Sequence, residues 1–324
     1  MKAIVYRDYG KADLLCMEDI PLPALAVNEA LVRVRAAALN PKDSFFRKGR
    51  FHAFSGRRFP KQIGVDFVGE IVRVGARFRV ARVGEPVMGF VSEVRYLRGT
   101  LAEFVRVREN EAGPIPPSFA TPDLAGVPLS ALTALQALRD VARLAPGDRV
   151  CIHGASGGVG TMAIQIAKAM GAHVTTTSSP KNFALCRELG ADVPCDYAAD
   201  DLFEGNTNYR VVFDAFGNLS LAKVRAVLSS RGVYVSTVPS RRLACEVLAT
   251  TVGFPRARLV VVRPRVADFA YVAELLISGR LRPVTDRTYA FTRTDVIAAM
   301  HHLESKRTRG KVIVDMLEHG PFAS

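Results

Sequence analysis

The stretch HGASGGVGTMAIQIAKAMGAHVTTTSSPKN, residues 153–182, decides the fold of this 324-residue chain. It follows the apolar run RVCI and places several glycines before a segment with the apolar period of a helix. Glycine permits a tight turn and lets backbone N–H groups approach a pyrophosphate, whose negative charge is favoured at a helix N-terminus. The pattern predicts a dinucleotide-binding strand, turn and helix; a glycine-rich turn without a ligand is the alternative. The candidate contacts are Ser156, Gly157, Gly158 and Val159.

The second strand of this unit ends without the acidic residue that binds the adenosine ribose in NAD-binding proteins. Its last residues are Thr177 and Ser178, followed by Ser179, Pro180 and Lys181. Hydroxyl and ammonium groups donate hydrogen bonds to a phosphate, whereas a carboxylate would repel it. We therefore predict NADPH as the cofactor, with Ser178, Ser179 and Lys181 at its 2′-phosphate. The alternative is an ordinary polar turn, in which serine and proline are common.

Length and composition restrict the class of protein. A chain of 324 residues with 49% hydrophobic and 23% charged residues is typical of a globular protein with two domains. No apolar run approaches the length of about 18 residues that a membrane span needs. The N-terminal MKAIVY alternates like a strand and lacks the layout of a signal peptide. The five cysteines are scattered, which favours reduced thiols in the cytoplasm over disulfides or a zinc site.

Basic residues outnumber acidic ones and give the chain a formal net charge of +13. Such a charge is compatible with a surface that binds nucleic acid. However, the basic residues are dispersed, and the tightest groups are short and lack interleaved aromatic residues. We therefore favour a solvated basic surface with a few phosphate-binding positions, and expect no nucleic-acid partner. The groups are Arg57-Arg58, Arg241-Arg242 and Lys306-Arg307-Arg309.

The pattern of the chain changes near residue 122. Residues 1–122 contain short strands broken by Gly and Pro, such as ALVRVRAAAL and GVDFVGEIVRVG, which are typical of a mainly β domain. Residues 123–265 alternate apolar strands and helices, which predicts an α/β fold with a doubly wound, largely parallel sheet. Residues 266–324 continue as a helix over 266–281 and then as strand, helix and strand. We expect this tail to rejoin the first domain.

The run RLVVVRP, residues 258–264, stands near the end of the α/β domain. Its apolar, β-branched residues predict an edge strand of the parallel sheet. Proteins usually cover such an edge, because its unpaired backbone groups otherwise pair with other chains. We therefore predict a homodimer in which this strand pairs with its symmetry mate.

Eight stretches occur in the order in which a known family carries them: ALNPKDSFFRKG, IGVDFVGEIVRVG, LSALTALQAL, PGDRV, HGASGGVGTMAIQIAKAMGAHV, CRELGADVPCDY, VVFDAFG and RGKVIVD. On these stretches the chain resembles the zinc-independent quinone oxidoreductases of the medium-chain dehydrogenase/reductase superfamily. The resemblance implies a GroES-like catalytic domain, formed by both chain ends around a central Rossmann domain that binds NADPH. It also implies a homodimer and the reduction of quinones or other electrophilic, conjugated carbonyl compounds.

The resemblance assigns three residues to the nicotinamide end of the cofactor. Asn40 of ALNPKD and Thr133 of LSALTALQAL are expected to face the nicotinamide, and Lys311 of RGKVIVD is expected to reach the cofactor from the tail. The amide N–H of Asn40 is the candidate donor to the substrate oxygen, where negative charge develops. The alternatives are that Asn40 shapes a turn before Pro41, that Thr133 caps a helix and that Lys311 is a solvated strand end.

The resemblance also assigns residues to the adenosine end. Tyr197 of the CDY stretch and Lys181 are expected to bracket the 2′-phosphate. Phe216 and Gly217, which end VVFDAFG, are expected to pass beside the adenosine. A place for Tyr197 in the hydrophobic core is the alternative.

Two departures from related sequences restrict the chemistry. Metal-dependent relatives carry a Cys where Asn40 stands and a His-Glu pair where Val65-Asp66 stand, and they also carry a clustered four-Cys loop that this chain lacks. We therefore expect no metal site. Many quinone reductases of this type carry a Tyr where this chain has Phe45, so that hydroxyl is absent as a proton donor. Water is the expected proton source for the product.

We predict an NADPH-dependent enzyme that transfers hydride to quinones or other α,β-unsaturated carbonyls. Two alternatives stay open. One is a reductase of enoyl thioesters in a biosynthetic pathway, which would have a basic approach for a phosphopantetheine or CoA tail. The other is a nucleic-acid-binding or partner-binding module that keeps NADPH only as a structural ligand. Turnover of NADPH with a quinone and with crotonyl-CoA separates the three.

Overall fold

The computed structural model describes residues 1–50, 52, 56, 58–92, 98–198, 208–253 and 255–316. The chain divides into two compact units. The first comprises Met1–Leu129, Arg263–Ile277 and Pro283–Ser324, and the second comprises Ser130–Val262 and Ser278–Arg282. In the part of the chain that is described, no helix is long and apolar enough to cross a membrane.

The regular elements alternate as the sequence pattern indicates. The strands are β1 (Lys2–Tyr6), β2 (Cys16–Asp19), β3 (Glu29–Leu39), β4 (Lys61–Gln62), β5 (Asp66–Val74), β6 (Pro86–Phe90), β7 (Phe104–Arg108), β8 (Ala112–Pro114), β9 (Arg149–His153), β10 (His173–Ser178), β11 (Val193–Asp196), β12 (Tyr209–Asp214), β13 (Leu228–Ser236), β14 (Arg256–Leu259), β15 (Thr285–Ala290) and β16 (Lys311–Asp315). The helices are α1 (Pro41–Arg47), α2 (Pro128–Leu135), α3 (Gly158–Ala169), α4 (Phe183–Glu188), α5 (Leu221–Val224), α6 (Arg241–Ala249), α7 (Val266–Ile277) and α8 (Arg293–Glu304).

The first unit is built on two mainly antiparallel sheets. The larger has seven strands, in the order β15-β16-β3-β5-β6-β8 with β7 also paired to β3, and the smaller has the order β2-β1-β4. β3 is buried along almost its whole length and pairs with β5, β7 and β16. The register Val312↔Leu39 joins the tail of the chain to its N-terminal part.

The first division between the units lies between Leu129 and Ser130, rather than between residues 122 and 123. The difference arises because the 3₁₀ turn Pro122–Gly126 packs on β3, β5 and β16 of the first unit. Gly126 lies so close to Lys311 that a Cβ atom on Gly126 would be 3.0 Å from the lysine side chain. A glycine at this position therefore allows the turn to cover the start of β16.

The second division lies between Val262 and Arg263, rather than between residues 265 and 266. Helix α7 ends at Ile277, earlier than the helix expected over residues 266–281. Gly279 has a φ of +69°, a left-handed conformation that favours glycine and is common just after a helix. Residues 278–282 then belong to the second unit.

The second unit is a six-stranded sheet in the order β11-β10-β9-β12-β13-β14, with every neighbouring pair parallel. Numbered along the chain, this order is 3-2-1-4-5-6, the order of a Rossmann sheet. The predicted doubly wound parallel sheet is confirmed. The direction of winding reverses between β9 and β12, and such sheets bind ligands outside the carboxyl ends of the strands at this point.

The outer strand β14 lies at one edge of the sheet. It covers Arg256–Leu259 rather than the whole run of residues 258–264. Its partner β13 ends at Ser236, whose carbonyl oxygen accepts one more hydrogen bond, 3.0 Å long, from the N–H of Val260. Beyond Val260 the chain has no partner strand, so it leaves the sheet.

Candidate functional site

The glycine-rich turn joins β9 to α3 at the carboxyl edge of the parallel sheet. Gly154 has a φ of +75°, which favours glycine. A Cβ atom on Gly160 would lie 2.4 Å from the Gly154 carbonyl oxygen, so only glycine permits this close approach. In contrast, a Cβ atom on Gly157 would meet only the Gly154 oxygen, at 3.5 Å. The backbone of the turn is therefore closely packed at Gly160, whereas the space beside Gly157 is unobstructed. A phosphate that binds to the backbone N–H groups of the turn requires such space.

Helix α3 begins directly after this turn, with Gly157 as its N-cap. The N–H of Thr161 donates to the Gly157 oxygen at 2.9 Å, which starts the hydrogen bonding of the helix. The N–H groups of Gly158 and Val159 come earlier and have no acceptor within the helix. Together with the helix dipole they favour an anion at this end. These residues therefore fit the pyrophosphate of a dinucleotide.

The loop after β12 borders this turn. The last residue of β12, Asp214, is paired in register with His153 and is fully buried. The Asp214 carboxylate accepts hydrogen bonds from the N–H groups of Phe216 (3.2 Å) and Gly217 (2.6 Å). A Cβ atom on Gly154 would lie 3.0 Å from Phe216 Cβ, and the Phe216 ring remains 48% exposed. Asp214, which the sequence analysis did not single out, thus holds the predicted Phe216 and Gly217 beside the glycine turn.

His153, the last residue of β9, is held on both sides of its ring. Nδ1 lies 2.6 Å from Thr177 Oγ1, and Nε2 lies 2.8 Å from Asn218 Oδ1. Because a carbonyl oxygen only accepts, Nε2 carries the proton and the Thr177 hydroxyl donates to Nδ1. Burial lowers the pKa of His153, which favours this neutral form. The ring therefore ties the end of β9 to β10 and to the loop after β12.

Ser178, the last residue of β10, is buried, with 4% of its surface exposed. Its hydroxyl oxygen lies 3.7 Å from Cys186 Sγ on α4 and 3.3 Å from the Ser179 carbonyl oxygen. The alternation of the strand turns this side chain toward the helix and away from solvent. This orientation removes the Ser178 hydroxyl from the predicted phosphate contacts.

Three other predicted residues lie at the carboxyl ends of the neighbouring strands β10 and β11. Ser179 and Lys181 follow β10, and they are half-buried and exposed respectively. Tyr197 follows β11, donates its N–H to the Ser178 carbonyl oxygen at 3.3 Å, and is 58% exposed. A hydroxyl, an ammonium and a phenol are thus placed at one edge of the sheet.

Asn182, which the sequence analysis did not identify, lies between β10 and α4, at the end of the turn Pro180–Asn182. It is 8% exposed, and its Nδ2 donates to Ser156 Oγ at 2.9 Å and to Ser179 Oγ at 3.3 Å. Ser156 belongs to the glycine turn and Ser179 to the end of the second strand. One amide group therefore connects the two segments that the sequence assigned to the cofactor. An Asn after Ser-Ser-Pro-Lys resembles an ordinary turn residue, so the sequence alone gives no signal for this contact.

The first unit contains a buried polar cluster around Lys311. Its Nζ donates to Asn40 Oδ1 at 2.6 Å and to Asp66 Oδ2 at 2.9 Å. The exposed fractions are 4% for Lys311, 5% for Asn40 and 0% for Asp66. An ammonium has three N–H groups, and these two contacts use two of them. Lys311 therefore retains one donor in an environment where hydrogen bonds to a developing charge are strong.

Both amide hydrogens of Asn40 are already engaged in this cluster. Its Nδ2 donates to Asp66 Oδ2 at 2.9 Å and to the Ala38 carbonyl oxygen at 3.2 Å, which uses both amide hydrogens. Its Oδ1 accepts from the Lys311 ammonium, and this contact fixes which atom of the amide is the oxygen. This geometry does not support the predicted role of Asn40 as donor to the substrate oxygen; the Asn40 amide instead orients the Lys311 ammonium.

Asp66 completes the cluster from the start of β5. Its Oδ1 accepts from the Leu129 N–H at 2.8 Å, while Oδ2 faces Lys311 and Asn40. A cationic amine thus occupies the neighbourhood of Asn40 and Asp66, the positions where the metal-dependent relatives carry a Cys and part of their His-Glu pair. Within the ranges that the structure describes, no group of three or more His, Cys, Asp and Glu side chains could hold a metal ion.

Asp43 of α1 is the second buried carboxyl group near this cluster. It accepts hydrogen bonds from the N–H groups of Asn40 (2.7 Å) and Gly64 (3.2 Å). Burial raises its pKa to about 7, and the hydrogen bond from Asn40 and the charge of Lys311 only partly oppose this rise. The carboxyl group therefore titrates near neutral pH.

The remaining predicted residues take no part in a described polar network at Lys311. Thr133 is 7% exposed on α2, shortly before the π-helical turn Gln136–Val141, a feature often found near functional sites. Phe45 has the Arg50 guanidinium 5.0 Å above its ring. Arg47 is buried and paired with Glu304, which also binds the Lys48 ammonium at 2.9 Å. Arg47 and Lys48 are both bound to Glu304, so neither of them replaces the hydroxyl that Phe45 lacks.

Comparison with known proteins identifies relatives over nearly the whole chain. Residues 26–117 match the alcohol dehydrogenase GroES-like domain, and residues 189–314 match the family described as zinc-binding dehydrogenase. The chain is 32% identical over 322 residues to an NADPH-dependent alkenal/one oxidoreductase of Arabidopsis thaliana, covering 97% of this chain and 79% of that protein. It is 29% identical to a quinone-oxidoreductase homologue of Spinacia oleracea, covering 97% and 98%.

Solved structures extend the likeness to the fold. The quinone oxidoreductase from Coxiella burnetii superposes with a TM-score of 0.87 at 29% identity, over 98% of this chain and 99% of that one. A mycobacterial protein solved in complex with NADPH superposes with a TM-score of 0.80 at 25% identity, over 98% and 100%. By these likenesses the chain belongs to the quinone oxidoreductase family of the medium-chain dehydrogenase/reductase superfamily, with a GroES-like and a Rossmann domain.

Proposed function

We propose that the protein is an NADPH-dependent reductase of quinones and other α,β-unsaturated carbonyl compounds. When bound, the cofactor supplies the hydride that adds to the electron-poor carbon. The observation that carries the proposal is the buried Lys311 ammonium, which keeps one N–H donor beyond its bonds to Asn40 and Asp66. The proposal agrees with the activities in the names of the relatives, an alkenal/one oxidoreductase and quinone oxidoreductases.

The second unit holds the cofactor in this proposal. The N–H groups of Gly158 and Val159 receive the pyrophosphate. Phe216 and Gly217 border the adenosine. Because no acidic side chain follows β10 in the sequence, the position that binds the ribose of NAD carries no carboxylate, and Ser179, Lys181 and Tyr197 can receive the 2′-phosphate. This arrangement supports NADPH over NADH.

Lys311 acts on the substrate oxygen. As hydride adds to the conjugated carbon, negative charge grows on the carbonyl or quinone oxygen, and a fixed cationic donor stabilises that charge more than it stabilises the neutral substrate. Asn40 and Asp66 hold the ammonium in place by the bonds of 2.6 and 2.9 Å. The Ser44 hydroxyl of α1 donates to the Glu304 carboxylate and is not a substitute for the hydroxyl that Phe45 lacks, so water protonates the product.

Turnover experiments test this proposal directly. Oxidation of NADPH is followed with 9,10-phenanthrenequinone, with a simple 2-alkenal and with crotonyl-CoA, each across a concentration series. We expect turnover with the quinone and the alkenal. Turnover confined to crotonyl-CoA would instead establish an enoyl-thioester reductase. Tight NADPH binding without turnover of any of the three would establish a module with NADPH as a structural ligand.

We further propose that the protein forms a homodimer through the edge of the Rossmann sheet. β14 has a partner on one side only among the described strands. Leu248 and Val252, in the segment before it, are 77% and 88% exposed, and Val261 after it is 65% exposed. An edge strand flanked by exposed apolar side chains favours pairing with a second copy.

We propose a cytoplasmic location, on the state of the cysteines. None of the five forms a disulfide, and two of them, Cys151 and Cys186, are buried. Cysteines outside disulfides are typical of a reducing compartment. The names of some relatives place them in chloroplasts or mitochondria, so fractionation of the source cells, with detection of this chain, is the test.

A further inference from the structure

The structure assigns Asn182 as a positioning residue that sets the preference for NADPH. We infer that its amide fixes the Ser156 and Ser179 hydroxyls so that both donate to the 2′-phosphate of the cofactor. The inference rests on the proposed placement of that phosphate at the end of β10.

The first observation is the direction of the hydrogen bonds. Asn182 Nδ2 lies 2.9 Å from Ser156 Oγ and 3.3 Å from Ser179 Oγ. An amide nitrogen only donates, so each serine oxygen accepts one N–H. Each hydroxyl has a single hydrogen, which then points away from Asn182. Two hydroxyl donors are thus oriented in advance near the carboxyl end of β10.

The second observation is the position of Asn182. It ends the 3₁₀ turn Pro180–Asn182, which leads directly into α4, and its side chain makes no cap hydrogen bond to the helix. It is directed instead to the two serines, and it is 8% exposed. The amide of this buried residue is therefore committed to the two serine hydroxyls.

The chemistry follows from these two facts. A free hydroxyl rotates among several directions, and ordering it during binding costs affinity. With their oxygens already engaged, Ser156 and Ser179 donate to phosphate oxygens at a smaller cost, and Lys181 adds its positive charge. NADH has a ribose hydroxyl in place of the phosphate and gains less from two fixed donors. Asn182 therefore acts on the ratio of the two affinities.

The test is a titration of the full chain with NADPH and with NADH, followed by fluorescence. For Asn182→Ala we expect Kd for NADPH to rise about tenfold, as for loss of one charge-assisted contact, and Kd for NADH to stay within about twofold. Asn182→Asp is isosteric, but its carboxylate accepts from both hydroxyls and repels phosphate. It should weaken NADPH more than the alanine variant does and reverse the preference. Equal losses for both cofactors, or no loss, would overturn the inference.

A double-mutant cycle shows whether Asn182 acts through the serines. In a Ser156→Ala/Ser179→Ala background, Asn182→Ala should change the Kd for NADPH by less than about twofold; a full additive loss would overturn the inference. Ser240→Ala is the matched control, because it removes a helix N-cap bond to Leu243 (3.1 Å) in the same unit. It should lower the melting temperature and leave the ratio unchanged.

Lys181→Ala separates this inference from the placement of the phosphate. If Lys181→Ala weakens NADPH selectively and both Asn182 variants leave it unchanged, the phosphate site stands and the role of Asn182 is wrong. If none of these variants changes the ratio, the 2′-phosphate lies elsewhere and both statements are wrong.

Discussion

Lys311 and Asp66 form a buried ion pair, with Nζ 2.9 Å from Oδ2 and exposed side-chain fractions of 5% and 0%. Removing one partner of such a pair leaves an uncompensated buried charge and costs about 3–5 kcal/mol of stability. Neutralising both partners together avoids that cost. Any test of Lys311 in catalysis must therefore separate loss of its N–H donor from loss of charge balance, and the pair itself provides the variants to do so.

The role of Asn40 predicts a moderate catalytic defect. Asn40→Ala removes the acceptor that orients Lys311 (2.6 Å) but leaves the lysine and its ion pair with Asp66 in place. We expect kcat to fall about tenfold, less than the 10²-fold or more that loss of an oxyanion donor causes. Kd for NADPH should change little. Steady-state kinetics and NADPH titration on the same preparation check this, and a loss of 10³-fold would return the donor role to Asn40.

From the position of Lys181 we predict how much the affinity for NADPH exceeds that for NADH. Lys181→Ala removes an exposed ammonium at the proposed 2′-phosphate site. We expect the affinity for NADPH to fall about tenfold, or ~1.4 kcal/mol, while that for NADH is unchanged. The difference should shrink as salt rises, because the contact is electrostatic. Titrations at low and high ionic strength measure both effects. A salt-independent ratio would contradict the assignment.

Asp43 predicts a pH dependence of stability with a definite sign. Its pKa is raised from 3.8 to about 7 in the folded protein, so between these values the folded state binds more protons than the unfolded state. The free energy of unfolding therefore falls as pH rises through this window, by up to about 1.4 kcal/mol per pH unit, and the contribution is fully lost above it.

Urea unfolding at pH 5, 6 and 8 measures this effect. Asp43→Asn removes the titrating group but keeps a carbonyl acceptor for Asn40 or Gly64. We expect the wild type to lose stability relative to this variant as pH rises. A difference that is constant across the three values would show that Asp43 does not titrate near neutral pH.

From the exposed edge strand β14 we predict a homodimer that acidic substitutions beside this strand dissociate. Val252 and Val261 are exposed beside β14. Val252→Glu/Val261→Glu places carboxylates at the proposed contact, where symmetry brings like charges together. Light scattering at micromolar concentration should show a dimer for the wild type and a monomer for the variant. A wild-type monomer removes the proposal.

The sequence predicted those parts of the molecule that depend on local pattern. The glycines after β9 and the apolar period of α3 are read directly from residues 153–170, and together with the alternation of strands and helices they predicted the parallel sheet. The division at Leu129 differs from the predicted boundary at residue 122, because the turn Pro122–Gly126 joins the first unit through its packing on β16 and not through its own composition.

The sequence identified many residues of the candidate site but did not show the hydrogen bonds that determine what each of them can do. Asn40 and Lys311 were both identified, but their hydrogen bond spans 271 positions of the chain, so no local pattern shows that the amide is already used. Ser178 was assigned to phosphate because its hydroxyl follows the missing acidic residue, but the strand alternation that buries its side chain depends on where β10 ends, which the sequence does not specify to one residue. Asn182 depends on contacts between separate segments, which the sequence does not display, whereas Asp214 binds backbone N–H groups of the residues that follow it.

The kcat of a charge-balanced variant tests the central claim most directly. Asp66→Asn keeps the Lys311 donor, whereas Lys311→Met/Asp66→Asn removes the donor and leaves no unpaired charge. With NADPH and 9,10-phenanthrenequinone, we predict that kcat of the double variant lies at least about 10²-fold below that of Asp66→Asn. The double variant should melt above Asp66→Asn, which retains an unpaired buried ammonium, and both should bind NADPH equally, so kcat is compared at a temperature at which both are folded. A double variant with kcat within about threefold of Asp66→Asn would contradict the role of Lys311 as donor to the substrate oxygen.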